Sequence, residues 1–183
     1  MRVIAGSLKG RRLKSPTWDG LRPTSDKLRE TLFNVLAPRI AGVRMIDAYA
    51  GTGAIGIEAI SRGAANVAFI EADRRAQSLL AENLAHCGIG EGYVIIRATV
   101  AQAIHTLIAT AAFVPFDIVF LDPPYSQSPE ESLSGIDALL GPGGLVVLEH
   151  TRTQPTPANV GRLERSRDLI SGDSALAFYT CRP

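Results

Sequence analysis

The tetrapeptide Asp122-Pro123-Pro124-Tyr125 carries the side chains needed to bind a planar base that bears an amine. It follows the apolar run 116–121, which predicts a fully buried strand of a parallel sheet. Two consecutive prolines make the chain leave the sheet in a fixed, extended direction. The acid and the aromatic ring would then form a hydrogen-bonding slot with a stacking lid, at the edge where open α/β sheets bind ligands.

A glycine-rich loop lies earlier in the chain, between a predicted strand (43–48) and a predicted helix (54–61). Gly51, Gly53 and Gly56 form the pattern G-x-G-x-x-G, which lets the backbone turn tightly and approach a ligand at the positive end of a helix. Glu71 ends the next predicted strand and is placed to bind ribose hydroxyls. These features alone fit a dinucleotide as well as other adenosyl ligands.

Asp47 separates the two classes of cofactor. An acid four residues before the first glycine would repel the pyrophosphate of a dinucleotide, whereas it suits the ammonium group of a methionine moiety. The sequence therefore predicts S-adenosylmethionine as the cofactor. The predicted cofactor-binding residues are Asp47, Ala48, Gly51, Gly53, Glu71, Ala72, Thr99 and Asp122.

Predicted strands and helices alternate from residue 43 onward, which is typical of a parallel sheet with helices on both faces. The further strands are predicted at 67–71, 93–96, 116–121 and 145–149, and the further helices at 74–87, 100–111 and around 130–140. Residues 163–167 and 175–180 predict a closing antiparallel pair. We therefore expect a Rossmann-like α/β fold, with a doubly wound, mostly parallel sheet and an antiparallel C-terminal strand.

The first thirty residues, here called the basic arm, differ in charge from the rest of the chain. They hold eight Lys and Arg against three Asp and Glu, a net charge of +5, which leaves −4 for the remainder of a chain with net charge +1. Such an arm suggests contact with phosphate, although a solvated hairpin would have the same charge. The candidate RNA-binding residues are Lys9, Arg11, Arg12, Lys14, Arg22 and Thr24.

The arm is predicted to contain a β-hairpin, with residues 2–5 and 11–14 around Gly6 and Gly10. A helix capped by Thr24 or Ser25 should follow and end near residues 38–42. We therefore expect two parts: an N-terminal extension that contacts RNA (1–42) and a catalytic domain (43–183).

Two cysteines, Cys87 and Cys181, provide neither a disulfide framework nor the spacing of metal ligands. The N-terminal residues lack the succession typical of a signal peptide, and no apolar stretch is long enough to span a membrane. We expect a cytoplasmic monomer with no metal ion and no membrane partner.

Along nearly its whole length the chain resembles the small-subunit ribosomal RNA guanine-N2 methyltransferase family, of the class I S-adenosylmethionine-dependent methyltransferases. The resemblance implies methylation of a guanine exocyclic amine in 16S RNA, within a largely assembled small subunit. It rests on Arg2-Val3-Ile4-Ala5-Gly6, Lys9-Gly10-Arg11, Arg22-Pro23-Thr24, Arg29-Glu30, Leu32-Phe33-Asn34, residues 47–58, Glu71, Glu82-Asn83-Leu84, Asp122-Pro123-Pro124-Tyr125 and Val147-Leu148-Glu149-His150.

The predicted catalytic residues are Asp122, Pro123, Pro124 and Tyr125. A guanine amine is a poor nucleophile, and two acceptors for its N–H groups would aim its lone pair at the methyl group. Asp122 and the Pro123 carbonyl would be these acceptors, and Tyr125 would stack on a flipped base. Two alternatives stay open: an adenine-N6 methyltransferase of DNA or RNA, which uses the same tetrapeptide, and a non-catalytic rRNA-binding assembly factor.

One stretch departs from the pattern of this fold. Many such methyltransferases place an acidic or amide residue just after the third strand, where it meets the adenine amino group. Here the stretch reads Arg97-Ala98-Thr99-Val100, so Thr99 or a backbone carbonyl would have to make that contact.

Overall fold

The computed structural model describes residues 1–18 and 24–182, which form an α/β fold. The helices are α1 (Asp26–Leu36), α2 (Ala54–Ser61), α3 (Arg74–Cys87), α4 (Val100–Ile108) and α5 (Pro129–Leu133), with a 3₁₀ helix over Ile136–Leu139. The strands are β1 (Arg44–Ala48), β2 (Asn66–Ile70), β3 (Tyr93–Ile96), β4 (Phe116–Leu121), β5 (Leu140–Thr151), β6 (Asn159–Val160), β7 (Leu163–Ser171) and β8 (Ser174–Cys181).

The strands form one eight-stranded sheet in the order β3-β2-β1-β4-β5-β8-β7-β6. Strands β1 to β5 pair in parallel, whereas β8 is antiparallel to β5 and to β7. The predicted fold class and its antiparallel closure are therefore confirmed. The direction of winding reverses between β1 and β4, and at such a switch point a crevice opens at the carboxyl ends of the strands.

The sheet is covered on both faces, which explains the continuous apolar runs in its central strands. One face packs against α1, α2 and α3 through residues such as Phe33, Ile57 and Leu80. The other face packs against α4, α5 and the 3₁₀ helix through residues such as Ile104 and Leu133. The two cores cover the faces of the sheet, and the candidate site lies at the carboxyl ends of the parallel strands.

Several predicted elements differ in their bounds from the structure, among them two helices and one strand. The expected helix around 130–140 is two short helices, because Gly135 adopts a left-handed conformation (φ 75°) that interrupts α-helix. Helix α4 ends at Ile108 instead of residue 111. Strand β5 begins at Leu140, so it includes the glycine-rich residues 141–144 that were expected to be a loop.

The predicted hairpin of the basic arm is present in a shortened form, in which the Val3 N–H donates to the Arg11 carbonyl and the Leu13 N–H to the Met1 carbonyl. Residues 1–14 turn back on themselves, but they form a single antiparallel bridge, Arg2 with Arg12, instead of two strands. The reason is a competing acceptor: the N–H groups of Ile4 and Ala5 donate to the two carboxylate oxygens of Glu58, at 2.7 and 3.0 Å. The arm is thereby bound to helix α2.

Arg29 was counted among the charges of the basic arm, and the structure corrects that role. Its side chain is fully buried, within 2.7 Å of Asp26 and 3.7 Å of Glu58. Arg62 also contacts Glu58, at 2.7 Å. Buried charges are found in proteins when they are paired, so Arg29 joins α1, α2 and the arm and is no phosphate ligand.

Candidate active site

The glycine loop after β1 has the close packing that its sequence predicts. Gly53 caps α2 in a left-handed conformation (φ 78°), and a Cβ on it would lie 2.3 Å from Leu80 Cδ1. A Cβ on Gly56 would lie 2.2 Å from the ring of Phe69. Larger residues at either position would push α2 away from its neighbours, so the glycines hold the N-terminus of α2 close above β1 and β2.

Asp47 lies beneath that helix terminus and is 2% exposed. Its Oδ2 accepts a hydrogen bond from the Gly56 N–H at 2.8 Å, in the first turn of α2. Burial raises the pKa of Asp47 well above its usual value; the Gly56 bond opposes this rise, and the charges of Asp122 and Glu71 add to it. The acid predicted to meet an ammonium group is therefore a desolvated carboxyl that has other acids around it.

Glu71 is part of the loop's own architecture. Its Oε2 accepts from the Gly51 N–H and its Oε1 from the Asp73 N–H, both at 2.8 Å. These bonds tie the end of β2 to the glycine loop. A carboxylate oxygen has two lone pairs, so each oxygen retains capacity for a second donor such as a ribose hydroxyl.

Asp122 follows β4 directly and is held from the N-terminal side of the molecule. The Thr24 hydroxyl, next to the Ser25 cap of α1, donates to Asp122 Oδ2 at 3.2 Å. Burial raises the pKa of Asp122 to about 6, and the Thr24 bond opposes this rise. Thr24, predicted to contact RNA, thus contacts the predicted catalytic acid in this structure.

Glu149 and His150, at the end of β5, are 8% exposed each. Burial first, and the charge of Asp122 second, raise the pKa of Glu149 to about 8, while the Ser174 hydroxyl opposes the rise. Glu149 Oε2 and His150 Nε2 are buried and have no hydrogen-bond partner among the described residues. Both residues line a small cavity together with Pro123, Pro124 and Tyr125.

Four carboxyl groups consequently lie along one edge of the sheet. Glu71, Asp47, Asp122 and Glu149 belong to the carboxyl ends of β2, β1, β4 and β5, which are neighbours in that order. Burial raises the pKa values of Asp47, Asp122 and Glu149, and the charges of neighbouring acids add to the rise for Asp47 and Glu149. Such an edge favours ligands that bring positive charge or N–H donors.

The loop after β4 presents an aromatic ring to solvent. Tyr125 is 57% exposed, while Pro124 accepts from the Gln127 N–H at 2.9 Å in the following turn. Tyr49, at a left-handed φ of 62° beside the glycine loop, donates from its hydroxyl to Gln127 Oε1 at 3.0 Å. The two loops that carry the predicted cofactor and base sites are thus joined by a hydrogen bond.

Thr99 is exposed and caps α4. Its hydroxyl accepts from the Gln102 N–H at 3.3 Å, and the Gln102 side chain accepts from the Thr99 N–H at 3.1 Å. This capping box uses the acceptor of the hydroxyl and leaves its O–H able to donate. Ala72, the residue after Glu71, is exposed at the same edge.

Apart from Thr24, which contacts Asp122, the candidate RNA-binding residues fall into three groups. Lys9, Arg11 and Arg12 are exposed on the arm. Lys14 is exposed too, but it forms an ion pair with Glu82 at 2.8 Å. Arg22 lies outside the described residues. A cleft of about 340 Å³ lies between residues 2–10 and the start of α1. Its charged lining residues are Arg2, Lys9, Asp26, Lys27 and Glu30.

The sequence pattern predicted site roles for the acids at the ends of β1, β2 and β4, but not for Glu149 at the end of β5. Glu149 ends the apolar run 145–148 as Asp122 ends the run 116–121. That repeated pattern, an acid directly after a buried strand, was the available indication. The partnership of Thr24 with Asp122 joins residues 98 positions apart and has no comparable local sign.

Strand order, glycine loop and acidic edge together define a class I methyltransferase fold. The family described as conserved hypothetical protein 95 matches residues 1–180, and the chain belongs to this family. Ribosomal RNA small subunit methyltransferase D of Escherichia coli K12 is 35% identical over 182 residues, covering 98% of this chain and 89% of that protein.

Two solved structures support the fold. The hypothetical protein TTHA0928 of Thermus thermophilus superposes with a TM-score of 0.83 at 30% identity, over 97% of this chain and 98% of that one. SMU.776, solved in complex with S-adenosylhomocysteine, has a TM-score of 0.69 at 14% identity, over 88% of this chain and 51% of that one. At that identity the second likeness extends to the fold alone.

Within the described residues, no helix combines the length and apolar character needed to cross a bilayer. The same part of the chain contains no cluster of three or more His, Cys, Asp or Glu side chains suited to a metal ion. Cys87 and Cys181 are both buried free thiols.

Proposed function

We propose that this protein transfers a methyl group from S-adenosylmethionine to the exocyclic N2 of a guanine in 16S rRNA, in an assembled or nearly assembled small ribosomal subunit. The observation that carries the proposal is the position of Asp122: a half-buried acid directly after β4, beside three more acids and an exposed Tyr125. The naming of the relative as a small-subunit RNA methyltransferase agrees with it.

The acidic edge suits this cofactor. S-adenosylmethionine supplies an electrophilic methyl group on a positively charged sulfur, together with an ammonium group. Asp47 and Asp122 would meet these charges and would then be stabilised in their ionised forms. Glu71 would bind the ribose, and the backbone of Ala48, Gly51 and Gly53 would follow the methionine moiety.

The adenine ring would lie between Ala72 and Thr99, whose hydroxyl still has an O–H to donate. An O–H donor suits a ring nitrogen of adenine better than the amino group, which is itself a donor. We therefore assign the amino group to a backbone carbonyl of residues 97–99.

The protein's own residues would act on the base. Asp122 and the Pro123 carbonyl accept the two N–H groups of N2, which directs its lone pair toward the methyl carbon and stabilises the positive charge that develops there. Tyr125 stacks on the base, and its exposure in this structure leaves a face available for that contact. The N2 proton leaves as the new N–C bond forms, with Asp122 as the nearest acceptor.

The RNA backbone would bind to the arm. Lys9, Arg11 and Arg12 are exposed, and Thr24 connects the end of this region to Asp122. Phosphate contacts of the arm would therefore position the RNA while the residues around Asp122 read the base.

Mass-spectrometric nucleoside analysis of small-subunit RNA, from cells with and without the protein, tests the proposal. Loss of one N2-methylguanosine in the deletion strain, restored by the wild-type gene and not by Asp122→Ala, is expected. Loss of N6-methyladenosine would replace guanine by adenine as the target. No difference in methylated nucleosides would overturn the catalytic proposal in favour of an assembly role.

A further inference from the structure

We propose that Glu149 is a specificity-determining residue that accepts a hydrogen bond from N1–H of the target guanine, beside the amine held by Asp122. The inference rests on the proposed function and adds a residue that selects the base. Asp122 at the end of β4 would then bind N2 of guanine, and Glu149 at the end of β5 would bind the adjacent N1–H.

The register of the sheet places the two acids side by side. Leu121, the last residue of β4, pairs with Leu148 of β5, and Asp122 and Glu149 are the residues that directly follow this last pair. Residues in register on neighbouring parallel strands point to the same face, with the strands about 4.8 Å apart. The influence of Asp122 on the pKa of Glu149 agrees with this proximity.

Glu149 has acceptor capacity that the protein does not use. The side chain is more than nine-tenths buried, and its Oε2 has no hydrogen-bond partner in the described residues. Buried polar groups in native proteins nearly always have partners. The unpartnered oxygen belongs to a residue that lines the same small cavity as Pro123 and Tyr125, two of the residues assigned to the target base.

Guanine matches two neighbouring acceptors because its N1–H and its N2 amine are adjacent donors. Adenine presents an amine next to an unprotonated N1, which is itself an acceptor. An ionised Glu149 would therefore attract guanine and repel adenine, whereas Asp122 alone would accept an amine from either base. This supplies the selectivity that the Asp-Pro-Pro-Tyr tetrapeptide cannot. The N1–H donor of guanine itself favours the ionised form and would lower the pKa of Glu149 from about 8 in the complex.

The test separates the two hydrogen bonds with base analogues. Small subunits are reconstituted with RNA that carries guanine, inosine or 2-aminopurine at the target nucleotide, which is first located by mass spectrometry of RNA fragments. Inosine keeps N1–H and lacks the amine, whereas 2-aminopurine keeps the amine and lacks N1–H. Equilibrium binding is measured with S-adenosylhomocysteine present at about pH 9, above the pKa of about 8 of Glu149.

Glu149→Leu should weaken binding of the guanine and inosine particles by about tenfold or more, the scale of one base-edge contact. It should not weaken binding of the 2-aminopurine particle and should tighten it if anything, because the unprotonated N1 of that base is repelled by ionised Glu149. Asp122→Ala should weaken binding of the guanine and 2-aminopurine particles and leave binding of the inosine particle unchanged. Glu91→Leu, at an exposed loop on the opposite edge of the sheet, is the matched control. Glu149→Gln, which keeps one acceptor, should show a smaller effect of the same kind as Glu149→Leu.

Equal weakening of the inosine and 2-aminopurine particles by Glu149→Leu, or no weakening of either, would overturn the assignment. Unchanged binding of S-adenosylhomocysteine establishes that the variant is folded; should Glu149→Leu fail this control, Glu149→Gln decides by the same criterion. A wild-type protein that leaves guanine N2 unmethylated in the mass-spectrometric assay would contradict the proposed function itself, which is a separate result.

Discussion

Asp122 is a carboxyl group whose surroundings make its ionised form costly until a ligand arrives. Burial raises its pKa to about 6, and the Thr24 hydroxyl is the hydrogen-bond donor that opposes this rise. A preorganised acceptor of this kind is most effective where positive charge develops, as on an amine during methyl transfer. Its proximity to Glu149 means that neither residue titrates independently of the other.

Asp122→Ala should lower kcat by about 10²–10³-fold, because it removes a preorganised electrostatic partner of the amine. Binding of S-adenosylmethionine should change less. Tyr125→Ala should also lower turnover because the base loses its stacking partner, whereas Tyr125→Phe retains the ring and should be mild. Single-turnover kinetics on small subunits measure both effects, and a near-normal rate for Asp122→Ala would contradict the role assigned to it.

Stability should fall as pH rises in the ligand-free protein, because its buried acids keep their protons longer than the unfolded chain does. Glu149 has a folded pKa of about 8, against about 4.3 for an exposed Glu. Between these values the native state binds more protons, so the free energy of unfolding decreases with pH. Glu149→Gln should flatten this fall and raise Tm most above about pH 8.

Thermal unfolding from about pH 5 to pH 9 measures the effect, with Glu91→Gln as an exposed control. Wild-type and Glu149→Gln curves that run parallel over this range would show that Glu149 is not protonated in the folded protein. The same linkage predicts that binding of the cationic cofactor releases protons near pH 7.

Between elements, Thr24 connects the start of α1 to the end of β4. Thr24→Val keeps the shape of the side chain and removes the hydroxyl, so the pKa of Asp122 should rise further. The decrease of kcat at acidic pH should therefore begin at a higher pH. A hydrogen bond to a charged group contributes about 1.5–3 kcal/mol, so kcat at neutral pH should fall about tenfold or more. Thr24→Ser should restore both the rate and the pH profile, which a role in RNA affinity alone would not explain.

Glu58 is the common partner of α1, α2 and the basic arm. It accepts from the N–H groups of Ile4 and Ala5 and from the guanidinium of Arg62, and it faces buried Arg29 at 3.7 Å. Glu58→Gln leaves Arg29 as a buried charge without this counter-ion and should cost about 3–5 kcal/mol of unfolding free energy.

Glu82→Gln is the matched control for that change. Glu82 pairs with Lys14 through side chains that are both more than half exposed, so its loss should cost at most about 1 kcal/mol. Urea unfolding compares the two variants, and limited proteolysis should cut the arm of Glu58→Gln first. Equal destabilisation by the two variants would mean that Glu58 does not hold the arm.

Periodicity predicted most elements because burial on a sheet or helix face repeats locally. Helices α2 and α3 and strands β3 and β4 begin and end where the sequence pattern places them. The arm differs because its backbone donors bind Glu58, more than fifty residues away. Likewise, the positions of Asp47 and Glu71 at strand ends predicted that both acids belong to the site. The hydrogen bonds that they accept from the Gly56 and Gly51 N–H groups depend on how the loops pack, which no local pattern shows.

At the scale of the whole molecule, opposite charges are separated between the arm and the catalytic edge. The arm contributes +5 and the remainder −4, although Arg29 is buried and cannot contact phosphate. Nucleic acid should therefore be attracted to the arm and repelled by the acidic body, so that the RNA approaches Asp122 in one orientation.

Replacing Lys9, Arg11 and Arg12 by Ala should weaken binding to small subunits and reduce the salt dependence of that binding. Removing one phosphate neutralisation should flatten the slope of log K against log salt by about 0.7–0.9, so removing three corresponds to about 2–3. Lys14 is kept because its side chain forms an ion pair with Glu82, which links the arm to α3. Binding of S-adenosylmethionine should be unaffected.

The charge-matched control replaces Arg162, Arg167 and Arg182, which are exposed around the β7–β8 pair. It lowers the net charge by the same amount, so a change in slope confined to the arm variant would assign the effect to position and not to total charge. Titrations at several salt concentrations measure both variants. The arm is not the RNA-binding surface if its variant keeps the wild-type slope, or if the slopes of both triple variants flatten equally.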